Sequence, residues 1–406
     1  MTKGWKAKTL GEICLFENGD RGENYPSKSV QTTSGVPFIN AGHLSESGID
    51  FSEMNYIPRE RFKLLGNGKI QKDDILFCLR GSLGKFASVG SLTEGAIASS
   101  LVIIRPGGAI LNKFVLAYLQ SDLCAEMIGK FRNGAAQPNL AAASLKKFSI
   151  PVPPLPDQRR IVGILDEAFS SIATAKANTE KNLQNARAIF ESHLQSVFSQ
   201  RGSGWVAKPL GDIAEFKNGL NYSKNSSGQT LPMVGVSDFQ DNYFVPLSKL
   251  ESATIDGKLA KGYALKQNDI LTVRSNGSKH LVGRCMLVGD VDEVVSYSGF
   301  IIRIRFDTSK VFPKFVLHFM KCQATRDTLT RGGGGTNITN INQEKLSSLL
   351  VPLPAYETQT EVAAALDALH EECQRLISLH RRKLGELDAL KKSLLHDAFT
   401  GQLKVT

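Results

Sequence analysis

The sequence predicts a mixed α/β (α+β) fold built twice. Two globular domains are joined by two long antiparallel helices that form a coiled-coil spacer, pseudo-two-fold symmetric. Three observations predict it. One is a repeat half a chain long in a protein of 406 residues. Another is a set of short β-branched and aromatic runs in the first three quarters of each copy. The third is a proline-free stretch with helical apolar spacing in each last quarter.

The repeat comes first. "GWKAKTLGEICLFENG" at 4–19 returns as "GWVAKPLGDIAEFKNG" at 204–219. "KDDILFCLRGS" at 72–82 answers "QNDILTVRSNGS" at 267–278, and "NKFVLAYLQS" at 112–121 answers "PKFVLHFMKC" at 313–322. "GAAQPNL" and "GGGTNIT" follow, and then "IPVPPLPDQRRIVGILD" at 150–166 meets "VPLPAYETQTEVAAALD" at 351–367. The order is preserved throughout. A period this long means duplicated domains rather than a solenoid.

Within each copy, "DILFC", "SLVIIR", "DILTV" and "GFIIRIRF" read as strands, bounded by Gly, Asn or Asp. The segments 114–123 and 315–322 read as short helices. The proline segments cannot be helical, because proline lacks an N–H and disfavours helix in the residue before it. They are expected to act as stiff stops from which a helix departs. From 157 to 198 and from 358 to 399 there is no proline and a single glycine, Gly163 or Gly385. Apolar or small residues recur in steps of three and four, from Ile161 and Leu165 to Leu194 and Val197, and from Val362 and Leu366 to Leu395 and Ala398. Each such helix would run roughly 60 Å at 1.5 Å per residue. Its seam is interrupted at Thr179 in one copy and at His380 in the other. The predicted domains are therefore 1–156, a spacer helix at 157–201, 202–357, and a second spacer helix with its tail at 358–406.

Charge and composition narrow the function. The net charge is +10. Residues 1–156 carry 18 Lys and Arg against 13 Asp and Glu, and residues 202–357 carry 18 against 14. The helical segments are nearly neutral, so the excess lies in the globular parts and suits a polyanion such as nucleic acid. No apolar run reaches the roughly 18 residues of a membrane span. "MTKGWKAKTL" has no apolar core region and no cleavage site, so a cytoplasmic protein is expected. The six cysteines form no C-x-x-C pair and read as reduced, buried thiols.

Two basic domains on a rigid spacer would act as a ruler on duplex DNA, touching two short sites with unread bases between them. Reading residues belong on loops. The first domain offers Arg21, Asn24, Tyr25 and Lys28, then Arg80, Ser82 and Lys85, then Arg132, Asn133 and Gln137. The second offers Asn221, Tyr222 and Lys224, then Arg274, Asn276, Ser278 and Lys279, then Arg331, Thr336 and Asn337. Arg suits guanine and Asn or Gln suits adenine, while Lys more often holds phosphate. Arg80 and Arg274 stand out because each follows the same "DIL" strand.

Catalytic motifs are missing. "RGSLGK" lacks the spacing of a phosphate loop. "EFK" at 215–217 and "DGK" at 256–258 are too short to mark a nuclease. There is no nucleophile elbow and no H-E-x-x-H zinc motif. A stand-alone DNA-modifying enzyme is disfavoured on this ground. A protein scaffold that binds no DNA is disfavoured by the basic domains.

Taken together, the two proline–glutamine segments, the two "GW…LG-[ED]-I" openings and the final "LLHDAFTGQL" resemble the specificity subunit of a type I restriction–modification system. The resemblance spans essentially the whole chain, although "AYETQ" replaces "PLPDQ" in the second copy. It implies two target-recognition domains, each reading one half of a bipartite, asymmetric DNA site. It implies helices that set the spacer and dock two methylation subunits, with two motor-nuclease (restriction) subunits able to join. It implies no catalysis and no cofactor in this chain, with S-adenosylmethionine, ATP and magnesium held by partner subunits.

Overall fold

A computed structural model of the chain describes residues 4–46, 48–134, 138–240, 242–331 and 339–403. It contains two compact units. One comprises residues 1–179 together with 382–406, and the other residues 180–381.

The first unit is organised on an antiparallel sheet in the spatial order Cys14–Asn18, Leu101–Pro106, Ile75–Cys78, Phe86–Ser88. The "ILFC" strand is buried at every position, as a strand covered on both faces must be. Its alternation assigns the faces. Ile75 and Phe77 join Val102, Ile104, Phe114 and Tyr118 in one core. Leu76 and Cys78 join Ile39, Leu101 and Ile103 in another. Helices Asn112–Gln120 and Asp122–Phe131 cover the first face. A mixed sheet of Asn55–Ile57, Val36–Ile39 and Ala96–Ile97 completes the unit's other side.

The second unit repeats this plan. Its sheet runs Ala214–Asn218, Ile301–Phe306, Ile270–Val273, Cys285–Leu287, with helices Pro313–Lys321 and Gln323–Thr330. Ile270, Ile302 and Ile304 face the helices, and Leu271, Val273 and Ile301 face away.

Two buried details show why the repeated residues are what they are. Asp74 and Asp269, the acids before "IL", are nearly inaccessible, and each receives two hydrogen bonds from an arginine on the neighbouring strand, Arg105 at 2.7 Å and Arg305 at 2.6 Å. A planar guanidinium matches a carboxylate bidentately, which lets the charge be buried. The residues before them, Asp73 (φ 67) and Asn268 (φ 70), turn the chain in the left-handed region that Asp and Asn tolerate.

The proline segments do more than stop a helix. Ser149–Val152 pairs antiparallel with Lys6–Thr9, and Leu350–Leu353 with Val206–Pro209. Proline is admissible there because each ribbon has only two strands. The long helices then run Leu155–Gln200 and Tyr356–Thr400, starting two residues earlier than expected, with Pro156 in the first turn of one. The repeated glutamines fix that junction. Gln158 accepts the Leu111 N–H (2.9 Å) and donates to the carbonyls of Pro153 (2.8 Å) and Ala109 (3.1 Å). Gln359 accepts the Phe312 N–H (2.8 Å) and donates to those of Pro354 (3.0 Å) and Lys310 (3.4 Å). Both are fully buried, and a buried amide is tolerable only when so completely bonded.

Each unit takes its core from the start of one long helix and the end of the other, which is the antiparallel pairing the repeat predicts. Ile161, Val162 and Leu165 share the first unit's core with Leu395, Ala398 and Phe399. Phe190, Leu194 and Phe198 share the second unit's core with Ala363, Leu366 and Cys373. Phe399 packs on Phe114 and Tyr118, and Phe198 on Phe315 and Phe319. The boundaries between units fall after Thr179 and after Arg381, at the two interruptions of the heptad pattern. Thr179 is buried, and its hydroxyl donates to the Ala175 carbonyl at 2.7 Å.

Candidate nucleic-acid interface

In an antiparallel sheet, the C-terminal end of one strand lies beside the N-terminal start of its neighbour. Asn18 pairs with Val102, Cys78 with Leu101, and Phe77 with Phe86. The segments that follow Asn18, precede Leu101 and connect Cys78 to Phe86 therefore emerge at one end of the first unit's sheet. Hydrogen bonds tie them together. Arg21 donates to the Ser99 carbonyl (3.3 Å), the Leu79 N–H to Ser100 (2.9 Å), and the Leu140 N–H to Leu79 (2.8 Å). Arg80 and Asn133 both form bridges with Asn139.

The second unit has the same edge. Asn218 pairs with Ile302 and Val273 with Ile301. The Leu220 N–H donates to Tyr297, the Arg274 N–H to Phe300, and the Ile341 N–H to Arg274. Ser275 and Asn276 pair with Asn340 and Thr339. A glycine lets the two backbones approach closely at this edge in both units. A Cβ on Gly19 would lie 2.6 Å from the Ala98 carbonyl oxygen, and one on Gly219 would lie 2.2 Å from that of Ser298. No other residue fits there.

The predicted residues distribute unevenly over this edge. Arg21, Arg80, Ser82, Arg132 and Asn133 are exposed on it or beside it, and so are Asn221, Tyr222 and Ser278. Asn221 lies against Gly299. Arg274 and Asn276 are half-buried at the edge. The Asn276 side chain accepts the Ser278 N–H at 2.7 Å. The Arg274 Nε has no hydrogen-bond partner among the described residues. Lys85 is exposed but reaches back to the Ala41 carbonyl (3.1 Å).

Other predicted residues serve the loops themselves. Asn24 donates to the Leu64 carbonyl (3.3 Å) and accepts from Arg61 (3.1 Å). Tyr25 packs edge-on against Phe38. Lys28 and Lys224 are exposed on the outer parts of their loops, and Arg331 is exposed just past Gln323–Thr330. Gln137, Thr336 and Asn337 lie outside the described residues, as does the side chain of Lys279.

The first loop is braced by a carboxylate. Asp20 accepts the N–H groups of Gly22 and Gly66, both at 2.7 Å. These bonds, Gly22's foremost, hold its carboxyl below the usual range despite the opposing effect of burial. What remains exposed at the first edge includes Arg21, Arg80, Arg132, Asn133 and Asn139, with Glu23 the exposed acid of the first loop and Asp20 committed to backbone. That combination can hold phosphate and donate to base edges.

Comparison with known proteins decides the family. The type I restriction modification DNA specificity domain is matched twice, at residues 2–185 and 202–385.

The chain belongs to that family.

As a member it carries two specificity domains in tandem. Its relatives include the StySPI specificity subunit of Salmonella potsdam, 23% identical over 99% of this chain and 90% of the relative. The EcoKI specificity subunit of Escherichia coli strain K12 is 24% identical over the same shares. The fold is that of a chain from a solved type I R-M system described for its assembly and conformational transition, with a TM-score of 0.80, 20% identity and 99% of both chains covered. The HsdS subunit from Thermoanaerobacter tengcongensis superposes with a TM-score of 0.62 at 18% identity, over 99% of this chain and 98% of that one.

Sequence reasoning did not reach every residue at this sheet edge. Ser99, Ser100 and Phe300 stand on it outside any loop of distinctive composition, and Asn139 ends the loop that supplied Arg132, Asn133 and Gln137. The available signal was position: Ser100 and Phe300 each immediately precede the "LVII" or "IIRI" strand that pairs with the "DIL" strand.

Proposed function

We propose that this chain is the sequence-reading subunit of a type I restriction–modification complex, each domain reading one half of a bipartite, asymmetric DNA site. One observation carries this reading: the same loop-bearing sheet edge occurs in both units, on matching scaffolds and with different exposed residues. Arg21 and Ser100 at the first edge correspond to Asn221 and Phe300 at the second. Matching scaffolds give matching modes of approach, and different side chains give different half-sites. Phosphate contacts from the exposed arginines give affinity that falls steeply with salt.

The outer faces of Leu155–Gln200 and Tyr356–Thr400 are mostly polar, with Ile189, Leu379 and Leu390 exposed among the charged residues, and offer docking surfaces for methylation subunits. Catalysis, and the S-adenosylmethionine, ATP and magnesium it uses, belongs in this reading to the methylation and motor-nuclease subunits, with the whole complex working in the cytoplasm. No helix among the described residues is long and apolar enough to cross a membrane.

The test is a methylome. The chain is expressed with a methylation subunit in a host that lacks adenine methylation, and the DNA is read by a modification-sensitive method. A split, asymmetric motif with methyl-adenine in each half supports the proposal. An unmethylated genome, despite a soluble assembled complex, overturns it.

A further inference from the structure

Phe300 leaves 60% of its surface exposed at the end of the second unit's sheet. Its backbone is held on both sides. The N–H donates to the Ser298 hydroxyl (3.4 Å), and the carbonyl accepts the Arg274 N–H (2.9 Å). The ring is therefore presented to solvent from a fixed position, between Arg274 and the loop that carries Asn221 and Tyr222. Tyr222 is itself 39% exposed. The corresponding positions in the first unit are Ser100 and Gly22. At these two positions the second edge thus carries exposed aromatic rings where the first carries a serine and a glycine.

An exposed apolar ring on a held backbone gains from contact with an apolar group and nothing from a hydrogen-bonding edge. Among the base edges of the major groove, the apolar group is the C5 methyl of thymine. We propose that Phe300 is a specificity-determining residue that packs on a thymine methyl in the half-site read by the second domain. This rests on the DNA-reading function proposed above.

The test uses the assembled complex with its methylation subunits and the half-sites found by the methylome. Each thymine of the second half-site is replaced in turn by deoxyuridine. This removes one methyl and leaves every hydrogen-bonding group in place. At one position the wild-type complex is expected to lose roughly fourfold in affinity, the worth of about one buried methyl. Phe300→Ala is expected to bind the thymine duplex more weakly by at least that factor and to show no response to deoxyuridine there. Recognition of the first half-site, and the melting temperature, should not change, since the ring is exposed.

A Phe300→Ala complex that keeps the wild-type response to deoxyuridine overturns the proposal, as does a second half-site without thymine on either strand. A base step that unstacks with Phe300 but not with Ala, reported by 2-aminopurine fluorescence in the absence of any methyl effect, would make the ring a wedge and also overturn it. If the wild-type complex prefers no sequence at all, the underlying function fails and this inference with it. That outcome is distinct from a failure confined to Phe300.

Discussion

The His370 imidazole lies between two rings, 4.9 Å from Phe190 and 4.1 Å from Tyr243. Burial, with repulsion from His318 and Lys321, holds its pKa below the usual histidine range, against a weaker opposing pull from Asp367. The folded state therefore resists a proton that the unfolded chain accepts near pH 6.5. The sign follows from linkage. Below about pH 6.5 the unfolded state binds more protons, so the stability of the second unit falls as pH falls, and levels off once the folded histidine also titrates. Urea unfolding at pH 7.5, 6.5 and 5.5 should show this slope in the wild type and a flatter one in His370→Phe. Parallel slopes in the two proteins would exclude His370 as the source. At this scale the sequence told much about loops and little about partners. Arg80 and Arg274 stood out in the sequence because a repeated strand leads to each, and both lie at the edge of their sheets. Phe300 did not stand out, because its significance comes from a pairing with residues nearly thirty positions away in sequence. Asn24 and Tyr25 looked like reading residues, yet their side chains hold the loop to Leu64, Arg61 and Phe38.

Among elements, the long helices were plain from periodicity, and so were the strands with continuous apolar runs. The proline ribbons were not, since a segment with a proline at every second or third position argues against a strand unless it lies on an edge. Nor could spacing alone reveal which core each helix end enters. The structure shows the last turns of Tyr356–Thr400 inside the first unit, where Phe399 is 3% exposed. Phe399→Ala is expected to destabilise that unit by about 3–5 kcal/mol, the usual cost of deleting a buried aromatic ring. The same change at exposed Leu390 should cost well under 1 kcal/mol. Differential hydrogen exchange would check this. Protection should fall in Asn112–Gln120 and Ile75–Cys78, and hold in Ile270–Val273. A loss confined to the helix end would mean that Phe399 does not complete the core.

For the whole molecule, the repeat, the alternation of domain and helix, and the basic charge of the domains are all legible in the sequence. Adding one heptad to each long helix, at Thr179 and at His380, is expected to change the number of unread bases between half-sites while leaving the bases read unchanged. The methylome of that variant decides it, and altered half-sites with the old spacing would rule out the helices as the ruler. The position of the unit boundaries has a consequence for inheritance. Residues 180–381 form one uninterrupted compact unit, and both of its limits lie inside the duplicated helices. A pair of genetic crossovers at those two points would transplant an entire reading head with its core complete, leaving the other head untouched. New specificities can then arise by recombination between genes of this kind, one half-site at a time, without a single compensating mutation in either core.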